Sequence, residues 1–259
     1  MKQLIFVMTL LASGVLCAQT PFDGTWMTKL DTAKFPTKPD KYSLSNNMYE
    51  CLTCVPKVSV KADGTDQKVT GHPYFDTIAV KVVNASAVEI IQKKDGKVMY
   101  TDTATVSSDG NTLDDTFTDT SGTQPVTGEA TSKRVAPAPA GAHALSGSWR
   151  TEKVNSVSDN GLTITYQGTE NGLKMSDQNG NSYDAKFDGK KYAWSNDPAS
   201  TMSIFKKLSD TQIEELDYHK DKLTDDTIFT AAADGKSIAV VDTEPVHETK
   251  TSYTMDKQP

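Results

Sequence analysis

The chain has 259 residues, with 34 acidic against 27 basic side chains and a net charge of −7. No basic stripe offers a nucleic-acid surface, and beyond the N-terminus no apolar run suggests a transmembrane anchor. An acidic, polar surface favours solubility and names no partner.

Residues 1–18 read as a signal peptide. Lys2 gives a positive start, Leu4 to Leu16 is apolar but for Thr9, Ser13 and Gly14, and Ala18 is a small residue before Gln19. The run is too short for a membrane span. It predicts a secreted or periplasmic protein cut after Ala18. Lipid attachment at Cys17 is the competing reading, disfavoured because Leu16 stands where lipoprotein signals usually carry a small residue.

Phe22-Asp23-Gly24-Thr25-Trp26 opens the first run of strand-like sequence, and Leu145-Ser146-Gly147-Ser148-Trp149 repeats it. Other landmarks recur with it. Asp63-Gly64 answers to Asp188-Gly189, Asp109-Gly110 to Asp234-Gly235 and Pro73 to Pro198, each at a spacing of 125 residues (64 to 189, 110 to 235, 73 to 198). The chain is therefore a duplication. The expected division is module 1 over 19–136, a Pro/Ala linker over 137–144 and module 2 over 145–259. The two prolines among alanines make the linker an extended spacer.

Within module 1, Cys51-Leu52-Thr53-Cys54 is the sharpest local feature. A redox pair or half a metal site is one reading. Pro56 and a strand-like run follow, where a redox site would open a helix, and no second cysteine pair exists. A disulfide across a turn is favoured. At the 125-residue spacing the second copy has Ser176-Asp177-Gln178-Asn179 there, a polar turn. Asn84-Ala85-Ser86 spells a glycosylation sequon, relevant only in a eukaryotic secretory path.

The periodicity is that of strands in both copies. Ile78, Val80 and Val82 alternate with Lys81, and Ile238 and Val240 with Ala239 and Val241. Asp-Gly and Asn-Gly pairs at residues 63, 95, 109, 179, 188 and 234 supply hairpin turns. Ser209 to His219 has a helix-like look, but its counterpart Asn84 to Lys94 is strand-like, so both are expected as strands. Each module is expected to hold about eight strands in sequence order. An up-and-down barrel closes the edges of such a meander.

Gly-x-Trp at the head of the first strand of an antiparallel meander resembles the lipocalin-like (calycin) superfamily. The order Lys-x-Asp-Gly, Asp-Gly-Lys, Ser-x-Asp-Gly is similar to secreted bacterial proteins with tandem lipocalin-like modules. The resemblance implies that Trp26 and Trp149 plug one end of each barrel and that a basic residue of the last strand packs across each indole. Arg134 is the candidate in the first copy and Lys257 a looser one in the second. It also implies an interior able to hold a small apolar molecule.

Tyr74, Phe75, Tyr192, Trp194 and Phe205 are the candidate lining residues, with Tyr49 and Phe229 beside them. Ordinary core is the competing reading for many of these, because aromatic rings dominate core packing. Trp194 answers to Val69 at the 125-residue spacing (69 to 194), so the copies differ there in volume. His72, His143, His219 and His247 show no metal-like spacing, and no cofactor motif or nucleophile elbow occurs. The adjacent acids Asp114-Asp115, Glu214-Glu215 and Asp225-Asp226 point to opposite faces of a strand and are expected to be mostly solvated. The expectation is a non-enzymatic protein without cofactor or metal, binding a small apolar molecule in a barrel. The alternative is a structural or interaction module of the cell envelope with filled barrels. None of these features fixes an oligomeric state.

Overall fold

The computed structural model describes residues 20–259, so the expected signal peptide and Cys17 lie outside the described residues. The first half contains β1 (Gly24–Lys34), β2 (Asp40–Ser45), β3 (Met48–Cys51), β4 (Val58–Lys61), β5 (Gln67–Lys68), β6 (Thr77–Val82), β7 (Ala87–Lys94), β8 (Lys97–Val106), β9 (Thr112–Asp119) and β10 (Val126–Ala136). The second contains β11 (Gly147–Val157), the short helix α1 (Asp159–Leu162), β12 (Thr163–Thr169), β13 (Gly172–Asp177), β14 (Ser182–Lys186), β15 (Tyr192–Ala193), β16 (Met202–Lys207), β17 (Gln212–His219), β18 (Lys222–Ala231), β19 (Ser237–Glu244) and β20 (Thr249–Lys257). The stretch from Ser209 to His219 is strand where it is regular, as its register with the first copy requires.

The strands form two antiparallel sheets of ten, each nearly closed into a barrel. Asp63 bridges to Lys81 across the seam of one, and Ser182 to Ser195 across the seam of the other. The 125-residue spacing persists in the backbone. Val69 N–H donates to Asp76 O in one barrel, and Trp194 N–H to Thr201 O in the other. Among the described residues no helix is long and apolar enough to cross a membrane.

The first strands are exchanged. In one sheet β11 lies between β10 and β2; in the other β1 lies between β20 and β12. Trp149 stands opposite Arg134 and Asp40, and Trp26 opposite Lys257 and Ile164. The N-terminal barrel is thus β2 through β11, continuous in the chain. The C-terminal barrel is β12 through β20, closed by β1. The expected modules 19–136 and 145–259 therefore do not coincide with the sheets. The linker 137–144 connects two paired strands, β10 and β11, of one barrel. The physical reason is that β1 and β11 carry the same anchor, so each fits the place of the other.

That anchor works identically at both sites. The Trp26 indole N–H donates to Phe22 O at 2.7 Å, and that of Trp149 to Leu145 O at 2.8 Å. Each bond folds the strand entrance back across the barrel end, leaving Trp26 0% and Trp149 1% exposed. Burial of one such side chain stabilises by about 4–6 kcal/mol as an upper estimate. The preceding glycine is required twice over. Gly24 has φ 134° and Gly147 φ 126°, where side chains are rarely tolerated. A Cβ would also stand 2.6 Å from Lys257 Cε at Gly24 and 2.6 Å from Arg134 Nη1 at Gly147.

The basic partners are those expected, crossed by the strand exchange. The Arg134 guanidinium lies 3.9 Å from the centroid of Trp149, and Lys257 Nζ 5.4 Å from that of Trp26. Arg134 also donates to Gly110 O, to Ser146 O at 2.7 Å and to Ala144 O at 2.7 Å. It ties the linker end to the β8–β9 turn. Cys51 and Cys54 form a disulfide, with S–S 2.06 Å, at the end of β3.

Candidate functional site

Strand alternation decides what faces the inside of each barrel. In the C-terminal barrel the inner row of β17 reads Ile213, Glu215, Asp217; that of β18 reads Asp225, Thr227, Phe229; and that of β19 reads Ile238, Val240, Asp242. The rows lie side by side. Asp217 is opposite Asp225, Glu215 opposite Thr227, and Thr227 opposite Asp242. Ile213, Ile238 and Val240 sit toward the Trp26 end and form a buried apolar floor with Phe205 and Met255. The acids lie above that floor.

Between them is a cavity of about 350 Å³. Its acidic lining is Glu215, Asp217, Asp225 and Asp242, with Asp177 at β13. Its aromatic lining is Tyr166, Tyr183, Trp194, Phe229 and Tyr253. No lysine, arginine or histidine lines it. Tyr183 packs edge-on to Trp194 with centroids 5.3 Å apart, and Tyr166 edge-on to Phe229 at 6.0 Å. The indole N–H of Trp194 donates to Ser203 Oγ at 2.6 Å, and that hydroxyl donates to Asp217. Thr227 donates to Asp242 at 2.9 Å. Asp177 is occupied by its own turn, accepting from the N–H groups of Asn179 and Asn181.

Glu215 stands apart. Its side chain is 5% exposed, yet Oε1 has no hydrogen-bond partner and Oε2 has only Tyr183 Oη at 3.5 Å. Burial, reinforced by neighbouring Asp217, holds its carboxyl well above the ordinary range. Burial likewise pushes Asp217 and Asp242 up to about 6 and raises Asp225. Desolvation of the charged form is the leading cause for each, and mutual repulsion adds to it. Toward the mouth, carboxylate oxygens of Asp225, Asp242 and Glu244 lie within 4.8 Å of one another.

The same positions in the N-terminal barrel are different. At the 125-residue spacing Glu215 answers to Ile90, Asp217 to Gln92, Asp225 to Tyr100, Asp242 to Phe117 and Ser203 to Ile78. Tyr100 and Phe117 stack with centroids 5.9 Å apart. Phe117 lies over Gly128, where a Cβ would stand 2.4 Å from the ring. The N-terminal barrel carries two inner carboxylates of its own, Asp102 and Asp115, pushed up to about 7 and about 6 chiefly by burial.

The expected lining residues scatter. Trp194 lines the cavity. Phe205 is 1% exposed in the floor, against Tyr183 with centroids 4.5 Å apart. Tyr192 packs at the edge of that core, and Phe75 at the edge of the other barrel's core, stacked on His72 at 4.5 Å. Tyr74 is 49% exposed and lines neither interior. Tyr74 and Phe75 fall outside regular strands, which corrects their reading as lining, while Tyr192, opposite the buried Ser203 in β15, shares the inner face and packs against the core. Of the two further aromatics, Phe229 lines the cavity and Tyr49 belongs to the N-terminal core.

The adjacent acids do split across the wall, but they are not mostly solvated. Glu214 faces out and bonds Lys206 while Glu215 faces in; Asp114 bonds Thr131 while Asp115 is held inside. The inner acids were readable as Glu215-x-Asp217, a spacing of two that puts both on one face once the strand is placed. Compared with protein families, with curated proteins and with solved structures, the chain matches none.

Proposed function

We propose that this is a non-enzymatic, exported binding protein of lipocalin-like design. The C-terminal barrel holds one small molecule and the N-terminal barrel is its filled structural counterpart. The observation that carries this is the cavity itself. At about 350 Å³ it falls within the range of about 300–1,000 Å³ for ligand sites. Its aromatic walls suit an apolar body, and its acids fix orientation. In the N-terminal barrel the stacked pair Tyr100 and Phe117 occupies the positions of two of those acids. The signal-like residues 1–18 support export.

The test is titration of the mature protein with a panel of small aromatic compounds, read by tryptophan emission and calorimetry. Trp194→Phe is expected to remove the ligand-induced emission change while Trp26→Phe retains it. Absence of saturable heat or emission change across the panel, with the protein folded, would leave the envelope-module reading instead.

A further inference from the structure

We propose that the molecule held in the C-terminal barrel is a small organic cation, an amine with an aromatic body whose ammonium group sits against Glu215. The inference rests on the binding reading above and names the ligand class for the same cavity.

Three observations converge. First, Glu215 lines the cavity, its side chain is 5% exposed, and its Oε1 has no hydrogen-bond partner. A buried carboxylate oxygen without a donor costs free energy in the empty protein, and a ligand that brings a donor recovers it. Second, the lining is of one sign: carboxylates occur on β13, β17, β18 and β19, and no basic side chain lines it. An anion would meet repulsion, and a neutral apolar ligand would leave Glu215 Oε1 unpaired. An ammonium carries three donors and a positive charge, matching the acceptor-only chemistry of ionised carboxylates. Third, Tyr166, Tyr183, Trp194, Phe229 and Tyr253 enclose the same space. Aromatic faces attract cations as well as apolar bodies.

A divalent metal is the competing cation. It would take the oxygens of Asp225, Asp242 and Glu244, because hard cations use oxygen ligands. That set excludes Glu215 and makes no use of the rings, so the organic cation accounts for more of the site. The internal duplication points the same way. The acids stand where the first copy has Ile90, Gln92, Tyr100 and Phe117, so this four-acid patch is particular to the C-terminal barrel; the two inner acids of the other, Asp102 and Asp115, stand where it has Thr227 and Val240.

The experiment is calorimetric titration of the mature protein with four probes: 2-phenylethylamine, 2-phenylethanol, 3-phenylpropionate and calcium chloride. The amine is expected to bind saturably, with the alcohol weaker by about 10- to 150-fold, the range for a hydrogen bond to a charged group, and the carboxylate not binding. Glu215→Gln is expected to weaken the amine by a similar factor and leave the alcohol unchanged. Asp242→Asn serves as a second variant should the first fail to fold, weakening the amine in the same direction. Amine affinity should also fall as pH drops through about 6, where Asp217 and Asp242 take up protons. Asp177, Glu215 and Asp225, and the phenols of Tyr166, Tyr183 and Tyr253, complete the titratable lining.

Equal affinity for alcohol and amine, or tighter binding of the carboxylate, would overturn the charge assignment and leave the binding reading standing. Calcium binding without amine binding would assign the acids to a metal. Failure of every probe to bind would overturn both readings.

Discussion

Where the N-terminal barrel stacks Tyr100 against Phe117, with ring centroids 5.9 Å apart, the C-terminal barrel places Asp225 and Asp242 around a cavity. Both barrels keep the same Trp plug, the same glycine and a cation over the indole. The ends of the barrels are thus alike and the middles are not. Barrel closure depends on the end, where the indole is buried and bonded. The inner wall above the floor is free to change, provided something fills it or something binds it. The N-terminal copy also carries the disulfide and the fully bonded Arg134, so the more heavily braced barrel is the one without the acid-lined cavity.

The most disruptive way to test this comparison is to remove β1. Deleting residues 19–38 takes Trp26 from the C-terminal barrel and leaves β2 through β11 whole. Amide-exchange protection should collapse over 159–257 and persist over 40–157, and a peptide of residues 20–34 added in trans should restore it. Loss of protection over 40–157 instead would mean that β1 serves the N-terminal barrel.

A smaller effect, of opposite sign, is expected at the acid patch. Glu215→Gln should stabilise the ligand-free protein at pH 7 by about 1–3 kcal/mol, because a neutral amide escapes the desolvation and the repulsion by Asp217 that a carboxylate meets there. The pH dependence follows from linkage. Asp217 and Asp242 bind protons more tightly folded, at about 6, than unfolded, at about 3.9. Their contribution to stability is full below the unfolded value and is lost as pH rises through about 6. Asp102 and Asp115 do the same in the N-terminal barrel, at about 7 and about 6. The urea midpoint should therefore be higher at pH 5 than at pH 7.5. Asp102→Asn should reduce the difference in the N-terminal barrel and Glu215→Gln in the other. A midpoint that stays level or rises from pH 5 to pH 7.5 would overturn the raised titration of these carboxyls.

The smallest effect belongs to Cys51 and Cys54. Closing so short a loop removes little chain entropy, so a double serine variant should lose about 2 kcal/mol or less. The loss should appear in exchange at β3 and β4 and not in the C-terminal barrel. Free thiols in the purified protein would instead return the pair to redox chemistry.

Much of this was legible in the sequence. Period-two alternation gave the strands, and repeated Asp-Gly turns gave the meander. Gly-x-Trp located both plugs and led to Arg134. The strand exchange was not legible, because β1 and β11 carry the same anchor and nothing in either specifies which barrel receives it. The acid patch was half-legible. Reading acids in adjacent pairs hides them, since a strand sends neighbours to opposite faces; reading at a spacing of two shows Glu215 with Asp217. Aromatic type alone failed for Tyr74 and Phe75, because rings cover barrel edges as readily as they line interiors.

The pairing of Trp26 with Lys257 has a consequence in time. On the ribosome β1 is the first strand made and its partner β20 the last, and contacts so distant in sequence form slowly. When β10 emerges, β1 is the only Gly-x-Trp strand yet synthesised, and the vacant place between β2 and β10 is one that it fits. β11 follows after the short segment 137–146 and must take that place from β1, or find β1 held away. The observed molecule is one of two chain threadings with equivalent anchors, and the order of synthesis initially favours the other.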